Sequence, residues 1–528
     1  MLTTTLQLLP WPPEQARAAV LLLLPPLLLA AVVVCLWALL SRRLFSRERP
    51  AGGSKEQQAA PARLPPGSFG WPLVGETLDF VSCAYSSRPE AFVDKRRLLG
   101  LLCTCLLCCT HARERGVPDR SHLFGSATVV TSDAEVSRFV LQSDARAFVP
   151  WYPRSLTELM GKSSILLING SLQRRVHGLV GAFFKSPQLK AQVTADMQRR
   201  LAPALAGWKT LGAAASPLRI QDHAKTQIVF EILVKGLIGL EAGPEMQQLK
   251  HQFQEFIVGL MSLPIKLPGT RLYRSLQAKK RMARLIQGII QEKRRRRRAI
   301  LDGGGEAGPP RDAIDVLISG GSDELTDELI SDNMIDLMIP AEDSVPVLIT
   351  LAVKYLSECP LALQQLEEEN MQLKRRKTDM GETLQWTDYM SLSFTQHVIT
   401  ETLRMGNIIN GIMRKAVRDV EVKGHLIPKG WCVFVYFRSV HLDDKRYDEP
   451  YRFNPWRWKE KDTSTSSFTP FGGGQRLCPG LDLARLEASI FLHHLVTSFR
   501  WVAEEDHIVN FPTVRLKRGM PIRLTSKD

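Results

Sequence analysis

The chain has 528 residues, 44% hydrophobic and 23% charged, the balance of a globular protein with enough apolar surface for a large core. A formal net charge of +15 suits nucleic acid, an anionic membrane or an acidic protein partner, but the basic residues are spread without a basic–aromatic module, which argues against nucleic acid. The nine cysteines are odd in number and form no regular ladder, which argues for a reducing compartment.

A short segment, residues 1–17, precedes an uncharged apolar run over 18–40. As a helix that run spans roughly 35 Å, enough for a bilayer core. Arg42, Arg43, Arg47 and Arg49 follow, so the positive-inside rule puts 1–17 in the lumen and all after residue 41 in the cytosol. The long run and its trailing arginines weigh against a cleaved signal peptide. Residues 41–66 read as a polar linker, and the prolines from Pro65 to Pro72 stiffen the start of the main domain, 67–528.

Helical periodicity dominates that domain, at 190–208, 222–239, 245–262, 274–298, 323–357, 361–376 and 391–405, with strand signals at 126–131, 418–427 and 432–436. The expected fold class is mainly α with small β-sheets. Arg294 to Arg298 end one helical pattern and read as a solvated loop. Residues 98–111, LLGLLCTCLLCCTH, stand apart: Cys103, Cys105, Cys108, Cys109 and His111 fit no zinc-finger spacing.

Three constellations carry chemistry. In SDNMIDLMIPAEDSVPVLITLAVKYL a long apolar helix has an implausible centre, because Pro340 and Pro346 free the carbonyls of Asp336 and Glu342. Asp343 and Ser344 lie between the prolines. An acid beside a hydroxyl there suits proton delivery; two helices joined by a capping loop is the plainer alternative. In ITETLRM, Glu401 and Arg404 share a helix face, a pair worth roughly a few tenths of a kcal/mol at a surface. With Arg457 of FNPWRW, the carboxylate would sit between two arginines as a buried lock. In FTPFGGGQRLCPGLDLARLE, three glycines permit a sharp backbone path, and Cys478 follows Arg476 at a helix start, where the dipole favours a thiolate. The residues alone leave nucleophile, zinc ligand and iron ligand open.

In this order these features resemble the cytochrome P-450 superfamily over residues 64–528, apart from the cysteine-rich stretch. The most specific motif is Phe471, Gly474, Arg476, Cys478 and Gly480. The resemblance implies a cytochrome P450 fold with an N-terminal transmembrane helix, and Cys478 as the proximal thiolate ligand of haem b. It implies Arg476, Arg414 and Arg174 as propionate partners, Asp343 and Ser344 as the proton relay, and Glu401, Arg404 and Arg457 as the structural lock. The sequence departs from the pattern at Gln173, where tryptophan or histidine is common, and at His177, where a second arginine is common. Ala341 replaces a glycine and Ser344 a threonine.

IPAEDSVP, ETLRMGNIINGIMRKAV and SVHLDDKRYDEPYRFNPWRW look like plant brassinosteroid-biosynthesis members, the group that hydroxylates a sterol side chain at C-23. That resemblance implies C-22-hydroxylated sterol substrates, dioxygen, NADPH-derived electrons through a cytochrome P450 reductase, and the endoplasmic reticulum membrane. Trp151, Met338, Ile339 and Ile409 are expected around the substrate, and Asn410 either binds a tail hydroxyl or serves a turn. KRRL and SHLFG match the relatives, but 98–120 replaces what lies between. That segment reads as a misjoined exon boundary, or else a lineage-specific insertion, and the first strand of the small sheet is expected to be missing or poorly packed. Two rivals are an oxygen-independent haem-thiolate isomerase or dehydratase, disfavoured by Asp343–Ser344, and an inactive haem sensor or sterol carrier.

Overall fold

A computed structural model describes residues 64–527 apart from 72–74, 87, 97–118, 214–215, 307, 321–324, 461–466 and 512. The apolar run at 18–40 and the 98–111 stretch lie outside the described residues. Among those described, no single helix is long and apolar enough to cross a membrane.

The helices build the larger part of the molecule around Val345–Glu358. Val347, Leu348, Ile349, Leu351, Ala352 and Val353 are all buried along it, so it is apolar around its whole circumference and must lie at the centre. Pro346 stands in its first turn, where the missing N–H breaks no bond. The preceding helix, Asp327–Asp343, starts at Thr326, whose Oγ1 accepts the Leu329 N–H. Ser344 is the junction: its N–H reaches the Pro340 carbonyl and its own carbonyl accepts from Leu348, both at 2.9 Å. The expected broken helix is thus two helices sharing one residue. The ExxR helix, Ser393–Gly406, packs closely on this core: a Cβ on Gly406 would lie 2.6 Å from Leu351 Cδ1. It stops at Asn407, which takes a left-handed conformation.

A smaller layer holds a five-stranded sheet of β1 (Asp119–Leu123), β2 (Ser126–Thr131), β3 (Phe148–Pro150), β5 (Gly411–Ala416) and β8 (Cys432–Tyr436) in the order β1-β2-β8-β5-β3. All its pairings are antiparallel except β2 with β8. β4 (Leu218–Arg219), β9 (Phe499–Ala503) and β12 (Pro521–Ser526) form a second sheet. β6 (Val420–Val422) with β7 (His425–Ile427), and β10 (Ile508–Val509) with β11 (Arg515–Leu516), form two hairpins.

Two expectations are corrected and a third is borne out in detail. The first strand is present: β1 pairs along its whole length with β2, and Leu123 is fully buried. Leu123 packs in a cluster with Cys83, Phe92 and Val93 on one side of the atypical segment and Val130, Cys432 and Phe434 on the other, so the strand is both paired and packed. Arg294 to Arg298 are helical, inside Arg271–Asp302. Glu292 pairs with Arg295 and Arg296 one turn away, and Arg294 pairs with Asp327, so part of the run's positive charge is compensated on the helix surface. The strand signal at 418–427 is borne out as the β6–β7 hairpin, turning at Lys423-Gly424 with both φ values positive.

Candidate active site

The loop before the Leu481–Ser498 helix folds back on itself: the Cys478 N–H donates to the Phe471 carbonyl at 3.1 Å and the Leu477 N–H to the Gly474 carbonyl at 3.2 Å. Gly474 has φ +65°, and a Cβ there would collide with the Leu141 carbonyl, so only glycine lets the loop lie against the Ala134–Gln142 helix. Phe471 is half-buried beside it. Cys478 is a free, half-buried cysteine. Burial pushes its thiol up, while a hydrogen bond from the Gly480 backbone pulls it down. The sequence predicted a dipole-favoured thiolate; in the folded chain burial wins. A metal bound to the sulfur would reverse that balance.

Arg476 staples the loop to its surroundings. Its Nε donates to Asp144 Oδ2 at 2.9 Å, and its terminal nitrogens donate to the Ile165 carbonyl at 3.1 Å, the Ile168 carbonyl at 2.7 Å and Asn169 Oδ1 at 2.9 Å. By donor inventory one N–H remains for another acceptor. Arg414 is brought in by β5, opposite Pro150 and Val433. It is buried, its Nε is 4.0 Å from Asp144 Oδ1, and neither of those two atoms has a hydrogen-bond partner. Burial lowers the Arg414 pKa and raises that of Tyr152, its neighbour.

Arg174 is not gathered here: it is exposed, with its Nε 3.4 Å from the Gly170 carbonyl. On the same helix, Gly170–Lys185, Gln173 is buried with Oε1 unpartnered, and His177 Nε2 lies 2.7 Å from the Leu477 carbonyl. Both positions that depart from the family pattern therefore face inward, and the arginine beside them faces out. A half-buried thiol, a glycine cradle, and a buried arginine with bonds to spare fit a flat anionic iron–porphyrin. Among the described residues no cluster of His, Cys, Asp and Glu suits a bare metal ion.

The lock is complete. Glu401 and Arg404 have fully buried side chains. Glu401 Oε1 accepts from Arg404 at 2.7 Å and from Arg457 and the Asn454 backbone at 3.1 Å; Oε2 accepts from Arg404 and from Trp458 Nε1 at 2.9 Å. Arg404 also donates to the His441 and Pro450 carbonyls. Sequence reasoning missed Trp458 as a partner, although FNPWRW contains it. It also missed His441, whose Nε2 accepts the Thr469 N–H at 3.0 Å while Nδ1 donates to Asn407 Oδ1 at 2.7 Å. His441 thereby ties the lock to the cysteine loop. Burial, with Arg404 and Arg438 nearby, drives its pKa down to about 3, so it is a neutral, doubly bonded imidazole. Asp144 carries no sequence signal at all.

At the helix junction, Asp343 and Ser344 are both half-buried, and Thr513 Oγ1 approaches Asp343 Oδ2 at 3.4 Å. Of the expected substrate neighbours, Trp151 and Ile339 are half-buried, Ile409 is 45% exposed, and Met338 is enclosed with no accessible surface.

The family profile described as Cytochrome P450 matches residues 119–521. Cytochrome P450 90D2 of Oryza sativa subsp. japonica is 82% identical over 89% of this chain and 91% of its own length. The 3-epi-6-deoxocathasterone 23-monooxygenase CYP90D1 of Arabidopsis thaliana is 58% identical over 87% of this chain and 89% of its own. Among solved structures, the retinoic acid bound cyanobacterial CYP120A1 superposes with a TM-score of 0.73 at 22% identity, covering 89% of this chain and all of that one, a likeness of fold. The chain belongs to the cytochrome P450 family.

Proposed function

We propose that the protein is a haem-thiolate monooxygenase that hydroxylates the side chain of a C-22-hydroxylated sterol at C-23, in brassinosteroid biosynthesis. The loop that buries the free Cys478 thiol at a helix start, beside Arg414, is the observation that carries the chemistry. The 58% identity to a protein named a 23-monooxygenase supports the substrate and position.

Haem b, when bound, supplies the oxidising chemistry: one oxygen atom of O2 enters the C–H bond and the other leaves as water, with two electrons from NADPH and two protons. The residues that would hold the group are Cys478, through its sulfur, and Arg414 and the remaining Arg476 N–H, which would meet its carboxylates. The Gly480 N–H on the sulfur moderates its charge. At the helix junction the Asp343 carboxylate takes protons from the solvent side and the Ser344 hydroxyl passes them inward. Electrons come from an NADPH-cytochrome P450 reductase. The 18–40 run anchors the chain in the endoplasmic reticulum membrane with the catalytic domain in the cytosol.

The test is the full-length protein reconstituted with reductase and NADPH and offered 22-hydroxylated sterols. The expected product is a 22,23-diol, with Cys478→Ala inactive and lacking the reduced-CO band of a thiolate haem. Oxidation only at C-22 or C-2, or turnover only of non-sterols, would overturn the assignment.

A further inference from the structure

One polar cluster is used neither by the lock nor by the cofactor residues. Asn410 lies between the ExxR helix and β5, and its Nδ2 donates to the Asn510 backbone carbonyl at 2.9 Å. That carbonyl can only accept, so the amide nitrogen must face it, and Asn410 Oδ1 is fixed as an acceptor. Asn410 Oδ1 is buried without a partner, as is Asn510 Oδ1, and Asn510 is only 4% exposed. Two unpaired acceptor oxygens thus belong to residues that one hydrogen bond joins across about 100 positions of the chain. Leaving such a group unpaired costs roughly 1–3 kcal/mol, a cost that a ligand donor removes.

The pair also stands at the right place. Asn410 immediately precedes β5, the strand that carries Arg414 four residues on. Asn510 lies between β10 and β11, the connection whose Thr513 touches Asp343. The cluster is therefore bracketed by the cofactor arginine and by the acid of the broken helix.

We infer that Asn410 and Asn510 form a specificity-determining acceptor site for a hydroxyl on the sterol tail. This rests on the sterol-hydroxylase reading above and adds which group the protein recognises: a hydrogen-bond donor, not a ketone and not an unsubstituted carbon. The hydroxyl O–H donates to Asn410 Oδ1 or Asn510 Oδ1 and fixes the tail relative to the oxidised carbon.

The holoenzyme is titrated with three matched sterols, 22-hydroxy, 22-keto and 22-deoxy, following the haem absorbance. The wild type should bind the hydroxy compound about 10- to 100-fold tighter than either other. Asn410→Leu and Asn510→Leu, checked for an intact reduced-CO band, should lose most of that preference and bind the deoxy sterol no more weakly. Equal binding of hydroxy and keto sterols by the wild type overturns the inference without any variant, and so does a preference unchanged in both variants, as when a water fills the site. A wild type that converts no sterol refutes the underlying reading instead, separately from these ratios.

Discussion

Glu401 and Asp144 are both buried carboxylates flanked by two arginines, yet they are finished differently. Around Glu401, Arg404 and Arg457 bond directly, and Trp458 and the Asn454 backbone take the remaining lone pairs. Around Asp144, Arg476 bonds at 2.9 Å while Arg414 stays 4.0 Å away, and Asp144 Oδ1 and Arg414 Nε have no partner. A network in which every buried nitrogen and oxygen has a protein partner rigidifies the fold; one that leaves a buried guanidinium nitrogen and a carboxylate oxygen without partners is built to meet a further group. The first region is framework and the second a socket.

The largest effect should fall on the framework. Glu401→Ala strands two arginines and should cost about 3–5 kcal/mol, abolishing soluble holoprotein. Chemical denaturation and purified yield measure this, and a well-folded, haem-loaded variant would erase the distinction between the two carboxylates.

His441, which bridges framework and cysteine loop, sharpens the comparison through pH. Its folded pKa of about 3 lies below the ordinary value of 6.5, so the unfolded chain takes up a proton first as pH falls. Its contribution is intact above pH 6.5 and is lost progressively on acidification towards pH 3. At pH 5 the loss is about 2 kcal/mol. Denaturation curves of wild type and His441→Gln at pH 7.5 and 5 should show their stability difference shrinking by that amount. Asp336 and Glu487, raised to about 8 by burial, titrate equally in both proteins and cancel from the difference. A constant difference would mean that the imidazole is not held neutral.

The smallest effect is on the socket. Arg414→Leu should leave apoprotein denaturation within about 1 kcal/mol of wild type, because it removes a cation whose bonds are incomplete. Haem loss to an excess of a competing haem-binding protein should speed up about tenfold, the weight of one lost charge-assisted bond. Equal damage to apoprotein and holoprotein would make Asp144 a second framework site.

What the sequence disclosed follows the same division. The ExxR spacing and the cysteine loop are local patterns, and both were legible because their partners lie within a few residues or in an aromatic-rich motif. Asp144 was silent, since its meaning comes only from a loop some 330 residues later. Arg174 was read as inward because it stands nearest the family pattern, but helical phase turns Gln173 and His177 inward instead. β5 escaped notice because GIMRKA lacks apolar alternation; pairing on both edges makes it a strand despite its charges. The basic run at 294–298 was read as loop because single residues were judged without their partners one turn away.

The parallel pairing of β2 with β8 has a consequence for how the chain is made. Thr128 of β2 aligns with Cys432 of β8, about 300 residues later. At a ribosomal pace of roughly 5–20 residues per second, the N-terminal hairpin must wait about 15–60 s for its neighbour. Such distant closure is entropically slow. During that interval Val129 and Val130, buried in the finished sheet, stand on an open edge, so the nascent protein depends on protection from aggregation until its last quarter has emerged.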